Sequence, residues 1–345
     1  MSDRPAPAGA KVTAAVVGLG DISALHLDAI SRNPGVQLVG VCDVEPGRAQ
    51  RAAAATGVPA FTDHRHLLEQ VRPQVVHVTT PHHQHAPVTL DALDTGAHVL
   101  TEKPIAHTAA DGQRLVDRAE TAAGKVGVVF QNRYNPSSVA IRQLLESGAL
   151  GPIQGGRAAV WWWRPPAYYA AAPWRGRWDQ GGGGVLINQA IHTLDLLLWF
   201  LGAPAAVHGR AATLALADTI EVEDTAAIVI EHETGPRSTM FATNAHHTNA
   251  DVELEITGRD GVVTLTGGQA VLVDSAGRRV LASDAQDTGE RSYWGMGHSV
   301  LIDDFYARLD SPEPFWIDLK VGLLPLQVLR SVYAQSGLLP PGTPE

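Results

Sequence analysis

Over the first 130 residues, short apolar runs alternate with helical patterns, and few folds accommodate that alternation. The runs are VTAAVV (12–17), VQLVGVC (36–42), VVHVTT (75–80), HVLTE (98–102) and VGVVFQ (126–131). Helix-like segments fall at 22–32, 46–56, 64–71, 85–95 and 108–123. Strands that are apolar almost throughout, and rich in β-branched residues, are buried on both faces. Separated by helices, they form a parallel sheet covered on each side, a doubly wound α/β domain. After residue 133 the pattern changes to a helix (136–147), a tryptophan-rich strand, a long apolar helix (185–201) and a run of adjacent strands with short turns. That part reads as an α+β domain with a large open mixed or antiparallel sheet, closed by helices at 298–308 and 319–336. A chain of 345 residues accommodates two domains. The expected division is a disordered tail at 1–10, a nucleotide-type domain at 11–133 and a second domain at 134–345.

The turn after the first strand carries the first chemical signal. Gly18-Leu19-Gly20-Asp21-Ile22 joins that strand to a helix. Gly18 permits the tight turn, and Gly20 lets a pyrophosphate approach the backbone at a helix N-terminus. The third small position of such a turn is Ser23. The second strand ends in Asp43, 23 positions after Gly20, close to the ~20 expected for an acid that bonds ribose hydroxyls. A plain βα turn is the alternative, but the strand–turn–helix context favours a dinucleotide. Asp43 repels a 2′-phosphate, so NAD is preferred, with NADP permitted because Arg48 sits one helical turn further on.

Ligands gather at the carboxyl ends of such strands. Strand four ends in Thr80, Pro81, His82, His83 and His85, and strand five in Glu102-Lys103-Pro104. No Cys, Asp or Glu stands beside the histidines, so no metal is expected. They either line the cofactor or cap the next helix. A lysine at the end of a buried strand has a lowered pKa that suits proton transfer near neutrality; a salt bridge from Lys103 to Glu102 is the alternative.

In GGGGVLINQAIHTLDLLLWFLG (181–202), Asn188, His192 and Asp195 interrupt an apolar helix at spacings of four and three, which place them on one face. His192 is a candidate catalytic base. Asn188 is a candidate for bonding a hydroxyl as donor and acceptor. Asp195 either orients the imidazole or pairs elsewhere. FQNRYNP (130–136) leaves the last strand of the first domain, so Gln131, Asn132, Arg133 and Tyr134 are candidates for the cleft, the first two toward cofactor and the others toward substrate. Residues 161–178 hold five of the eight tryptophans with interleaved arginines. Arg164, Trp174 and Arg175 are the substrate candidates there, since aromatic faces suit sugar C–H faces and guanidinium groups bond hydroxyls or anions. His247, in AHHTN, is a further one.

Composition excludes other classes. A formal charge of −10 argues against a nucleic-acid partner. No uncharged run reaches the ~20 residues of a membrane span, and no signal peptide is evident. The single cysteine, Cys42, leaves no disulfide to form within one chain. A cytoplasmic location is the default.

Gly18-x-Gly20 with His26 six positions on, TPHHQHAPVTLDALDTGAHVLTEKP, the glycine-led NQAIHTLD helix and GHSVLIDDF near the end resemble, in order, the Gfo/Idh/MocA family. The resemblance implies a Rossmann domain, a C-terminal open sheet, and NAD(P)-linked oxidation or reduction of a sugar, glycoside or cyclitol carbinol, with a 3-hydroxyl among the targets. It places the family's E-K-P lysine on Lys103 and its helix histidine on His192, with Asn188 where most relatives carry an acid. An amide there leaves His192 neutral more readily and shifts proton traffic to Lys103. Glycoside cleavage through a transient 3-keto intermediate, and an NAD-bound sugar sensor without turnover, are the alternatives. The open sheet is expected to form a homodimer or homotetramer.

Overall fold

The computed structural model describes residues 11–284 and 297–340; the expected tail at 1–10 lies outside them. Six strands, β1 (Val12–Val17), β2 (Val36–Cys42), β3 (Ala60–Phe61), β4 (Val75–Val78), β5 (His98–Glu102) and β6 (Val126–Val129), form a sheet in the order β3-β2-β1-β4-β5-β6. Every pairing in it is parallel. Helices α1 (Ser23–Arg32), α2 (Pro46–Thr56), α3 (His64–Val71), α4 (His82–Asp94) and α5 (Ala109–Ala119) make the crossovers. β1 and β4 are neighbours although the chain departs from them in opposite directions across the sheet. Their carboxyl ends therefore open a crevice at a topological switch point. The two-residue strand β3, too short to leave a periodic signal, was not anticipated.

The second sheet contains β7 (Ile153–Trp161), β8 (Pro204–Ala212), β9 (Thr225–His232), β10 (Arg237–Thr243), β11 (Glu253–Gly258), β12 (Gly261–Thr266), β13 (Gln269–Asp274) and β14 (Gly277–Ser283). Its order is β14-β13-β12-β11-β7-β10-β9-β8. β7 pairs parallel with β10 and antiparallel with β11, so the sheet is mixed. Hairpins supply the rest. β14, which has no buried residue, has no core face and so escaped the sequence reading.

Helices α6 (Pro136–Glu146), α7 (Pro166–Ala170), α8 (Trp178–Gly181), α9 (Ile191–Leu201), α10 (Gly297–Ala307) and α11 (Leu319–Ser336) complete the chain. α9 is the buried spine of the second layer, with Leu194 and Leu197 fully buried, each worth roughly 1.5–3 kcal/mol of apolar burial. The segment Trp178–Leu201 is apolar and long enough to cross a membrane, but 83% of an 18-residue apolar window within it is buried inside the protein. The expected continuous helix 185–201 is interrupted: Leu186–Ala190 is a π-turn that precedes α9.

The last two helices pack on both layers. α10 lies against α1 and the 131–134 turn, while α11 lies against α5 and β8. Val128 of β6 donates its N–H to the Ile317 carbonyl at 2.8 Å. Gly322 of α11 sits so close to Ile105 and Val128 that a Cβ would come within 2.5 Å of the Ile105 side chain.

Candidate active site

The carboxyl ends of β1, β4, β5 and β6 form the floor of a cleft of about 1790 Å³. Gly18 has φ +93°, and a Cβ there would meet the Thr79 and Thr80 backbone at 2.6 Å. Only glycine lets the β1 turn nestle against the end of β4. Above Gly20 a Cβ would meet nothing within 4 Å, so the turn presents bare backbone to the cleft. Ser23, at the third small position, donates its hydroxyl to the Gly20 carbonyl at 2.6 Å. Asp43 is buried at the crevice edge. It accepts from the backbone N–H of Leu19 at 2.7 Å and of Glu45 at 2.9 Å, with the Arg48 guanidinium 3.9 Å away. Asp21 and Ile22 line the same end of the cleft, as do Thr80 and Pro81.

Lys103 rises from the end of β5, joined to Pro104 by a cis peptide bond. Its Nζ donates to the backbone carbonyl of Asn188 at 2.9 Å, within the π-turn. Burial pushes its pKa down to about 8, against the Glu102 field that raises it, and the Arg175 charge adds to the lowering. His192 stands in the same cleft with its Nδ1 buried and unpartnered. Burial, then the Lys103 charge, hold it well below the ordinary histidine range, so the ring is neutral at neutral pH. The Asn188 side chain donates to the Tyr168 hydroxyl at 3.3 Å. Gln189 donates to the same hydroxyl at 3.0 Å and accepts from Asn244 at 3.0 Å. Tyr168 and Gln189, backed by the buried Asn244, make a polar wall that the sequence reading did not assign. The three come from α7, the π-turn and the loop after β10, far apart in sequence.

The glycine run before this helix now has a cause. Glu223, fully buried, accepts from the N–H groups of Gly184 (2.7 Å) and Leu186 (2.9 Å) and from the Tyr333 hydroxyl (2.8 Å). Burial pushes its carboxyl up to about 7. A Cβ on Gly184 would lie 1.9 Å from the Glu223 carbonyl oxygen.

Several expected site residues are placed otherwise. Arg133 is buried and pairs bidentately with Asp195, Nε and Nη2 lying 2.8 and 2.7 Å from the two carboxylate oxygens. In the 3₁₀ turn Gln131–Tyr134 successive side chains diverge by roughly 120°. Gln131 and Asn132 thus reach the cleft while Arg133 turns to α9. Asp195 accordingly anchors Arg133 and not the His192 ring. The Tyr134 ring borders the cleft, but its hydroxyl donates to Asp304 at 2.6 Å and accepts from Trp316 at 2.7 Å. His247, expected to reach substrate, is exposed and lies outside the cleft. His85 has both ring nitrogens against carbonyls, Pro104 at 2.6 Å and Thr80 at 2.8 Å, so it braces the two loops. His82 donates Nδ1 to the Gly181 carbonyl at 2.8 Å and packs on Trp174. Glu102 lines the cleft, with its carboxylate held by His26 and His298.

Trp174 and Arg175 do reach the cleft, at its glycine-turn end: Arg175 lies 3.8 Å from Asp21 across the two layers. Arg164 lies further along, stacked over Trp162 (4.7 Å) and Tyr168 (5.3 Å) and donating to Asn249 at 3.0 Å. Three residues that line the cleft each hold one buried polar atom without a partner: Thr80 Oγ1, Gln131 Oε1 and His192 Nδ1. A bare glycine turn with a buried acid, Asp43, at the crevice edge fits a dinucleotide.

Fold and site together define an NAD-binding oxidoreductase. The chain belongs to the Gfo/Idh/MocA family: residues 12–130 match its NAD-binding Rossmann domain of an oxidoreductase family, and residues 138–264 match its C-terminal domain. The WlbA dehydrogenase from Bordetella pertussis, solved with NADH and UDP-GlcNAcA, is 30% identical with a TM-score of 0.83, covering 95% of this chain and 97% of that one. Levoglucosan dehydrogenase from Pseudarthrobacter phenanthrenivorans is 26% identical over 342 residues, covering 86% of this chain and 87% of that protein. Inositol 2-dehydrogenase from Rubrobacter xylanophilus is 33% identical over 195 residues, 55% of this chain. The match spans about half (52%) of that relative's length.

Proposed function

We propose that this protein transfers a hydride between a secondary carbinol of a sugar, glycoside or cyclitol and NAD, with Lys103 as the group that takes or returns the hydroxyl proton. The observation that carries this reading is the buried Lys103 amine, lowered to about 8, at the floor of a cleft that a neutral His192 shares. The glycine turn Gly18–Ile22 would hold the pyrophosphate, Asp43 the adenosine ribose hydroxyls, and Gln131 and Asn132 the nicotinamide end, with Thr80, Pro81 and His82 between. When bound there, NAD supplies the hydride acceptor or donor. Lys103 abstracts the hydroxyl proton as the hydride leaves, and the neutral His192 ring orients the same oxygen. Tyr168, Asn188 and Gln189 bond neighbouring hydroxyls, and Arg164 is the cation available to an acidic or nucleotide-linked substrate. Trp174 and Arg175, beside Asp21, cover the dinucleotide rather than the carbinol.

The relatives' names guide the choice of substrates for the test. Initial rates with NAD are measured on myo-inositol, levoglucosan, simple glucosides and UDP-GlcNAcA, following reduced-nicotinamide absorbance. Net reduction with one of them supports the reading. Glycoside cleavage without net reduction points to a transient 3-keto mechanism, and NAD binding without turnover on any substrate to a sensor.

A further inference from the structure

Behind Lys103 lies a row of buried polar groups that the proposed chemistry leaves idle. Glu102 Oε1 is 3.1 Å from His26 Nε2 and 3.5 Å from His298 Nε2. His26 Nδ1 is 2.8 Å from His77 Nδ1, and His77 Nε2 is 2.7 Å from the Tyr306 hydroxyl. The five groups come from α1, β4, β5 and α10. His26, His77, Glu102 and His298 are all buried, while Tyr306 is partly exposed.

Hydrogen-bond bookkeeping fixes one arrangement for neutral rings. Glu102 is held well below the usual carboxylate range: burial alone would raise it, but the bonds from His26 and His298 outweigh that. An ionised carboxylate only accepts, so His26 donates through Nε2 and must accept at Nδ1. His77 then donates through Nδ1 and accepts at Nε2, and Tyr306 donates its hydroxyl. Burial, then His26, hold His77 well below the ordinary range, so a second proton does not rest there.

We propose that this row is a proton-loading chain coupled to Lys103. A solvent proton adds to the Tyr306 oxygen as the phenol hydrogen passes to His77 Nε2 and the His77 Nδ1 hydrogen passes to His26 Nδ1. No heavy atom moves, no bond other than O–H and N–H changes, and the product is a His26 imidazolium against the Glu102 carboxylate. The reverse shift returns one proton to solvent. Charge behind Lys103 thus alternates between −1 and 0. When Lys103 takes a proton and becomes ammonium, the chain discharges; when Lys103 is neutral, the chain loads. The two sites titrate as a coupled pair. Groups facing Glu102 are His26, His298 and Lys103, with His85 and His192 felt through their fields; His77 is faced by His26 and Tyr306.

This inference rests on Lys103 being the proton-handling group, but its test needs no substrate, so a failed substrate search leaves it intact. The protein is labelled with ¹⁵N-histidine, and ring nitrogen shifts are followed from about pH 6 to 9, where imidazoles titrate, in the wild type, Lys103→Met and Lys103→Arg. The expected result is one chain imidazole that becomes doubly protonated, with its midpoint raised in Lys103→Met because a like charge nearby has been removed. Lys103→Arg, which keeps the charge, shows no such rise. The proposal is overturned if no chain imidazole takes a second proton across that range, or if the two substitutions move the midpoint alike.

Discussion

At Lys103 three influences compete: burial favours the amine, the Glu102 field favours the ammonium, and Arg175 favours the amine again. The amine is the form that accepts a proton. Oxidation should therefore rise with pH through about 8 and then level, while reduction, which draws on the ammonium, should fall over the same interval. Initial rates in both directions across pH check the sign. Lys103→Met should remove the inflection and lower turnover by about 10²–10⁴-fold, the usual contribution of a general base. Lys103 was legible in sequence because its signal is local: a strand end, an acid before it and a proline after it. Gly18, Asp43 and His192 were legible for the same reason. Arg133 was not, because its direction is set by a 3₁₀ turn of four residues that no periodicity reveals. Nor was the His26–His77–Glu102–His298 row, whose members lie on separate elements and touch only once the sheet forms.

Between elements, two contacts hold α9 and the π-turn before it in register. Arg133 and Asp195, both nearly inaccessible, tie the end of the first sheet to α9. Removing one partner strands the other's charge, so Arg133→Ala should lower unfolding free energy by about 3–5 kcal/mol, read by denaturant titration. The second contact is Glu223 on the amides before the π-turn. Gly184→Ala forces a methyl onto the Glu223 backbone, so it should destabilise by at least the ~1–3 kcal/mol typical of overpacking. It should also weaken turnover, because the Asn188 carbonyl that positions Lys103 moves with that segment; melting and kinetics measured together test both. The sequence showed a helix with an odd glycine leader. It could not show that the leader exists to seat an acid 39 positions further on.

For the whole molecule, the βα alternation was enough to give the parallel sheet and its switch point, because each crossover is a local unit. The order of the second sheet was beyond reach, since β7 finds both its neighbours far along the chain. That sheet leaves Val229, Val273 and Val280 exposed at 38%, 46% and 48%. We propose that this face joins subunits: light scattering should give a dimer or tetramer, and Val229→Lys with Val273→Lys should yield a monomer that still binds NAD. A different consequence follows from α11. The outer edge of β6 is completed by Ile317, and the seat around Ile105 and Val128 is filled by Gly322. During synthesis the amino-terminal sheet emerges first but lacks its final edge and cover until Ile317 and the α11 segment that follows it have left the ribosome. The nascent first domain must therefore wait as an unfinished, sticky intermediate, and a ribosome stalled before residue 317 would hold a chain able to shape the nucleotide turn but unable to seal the layer beneath it.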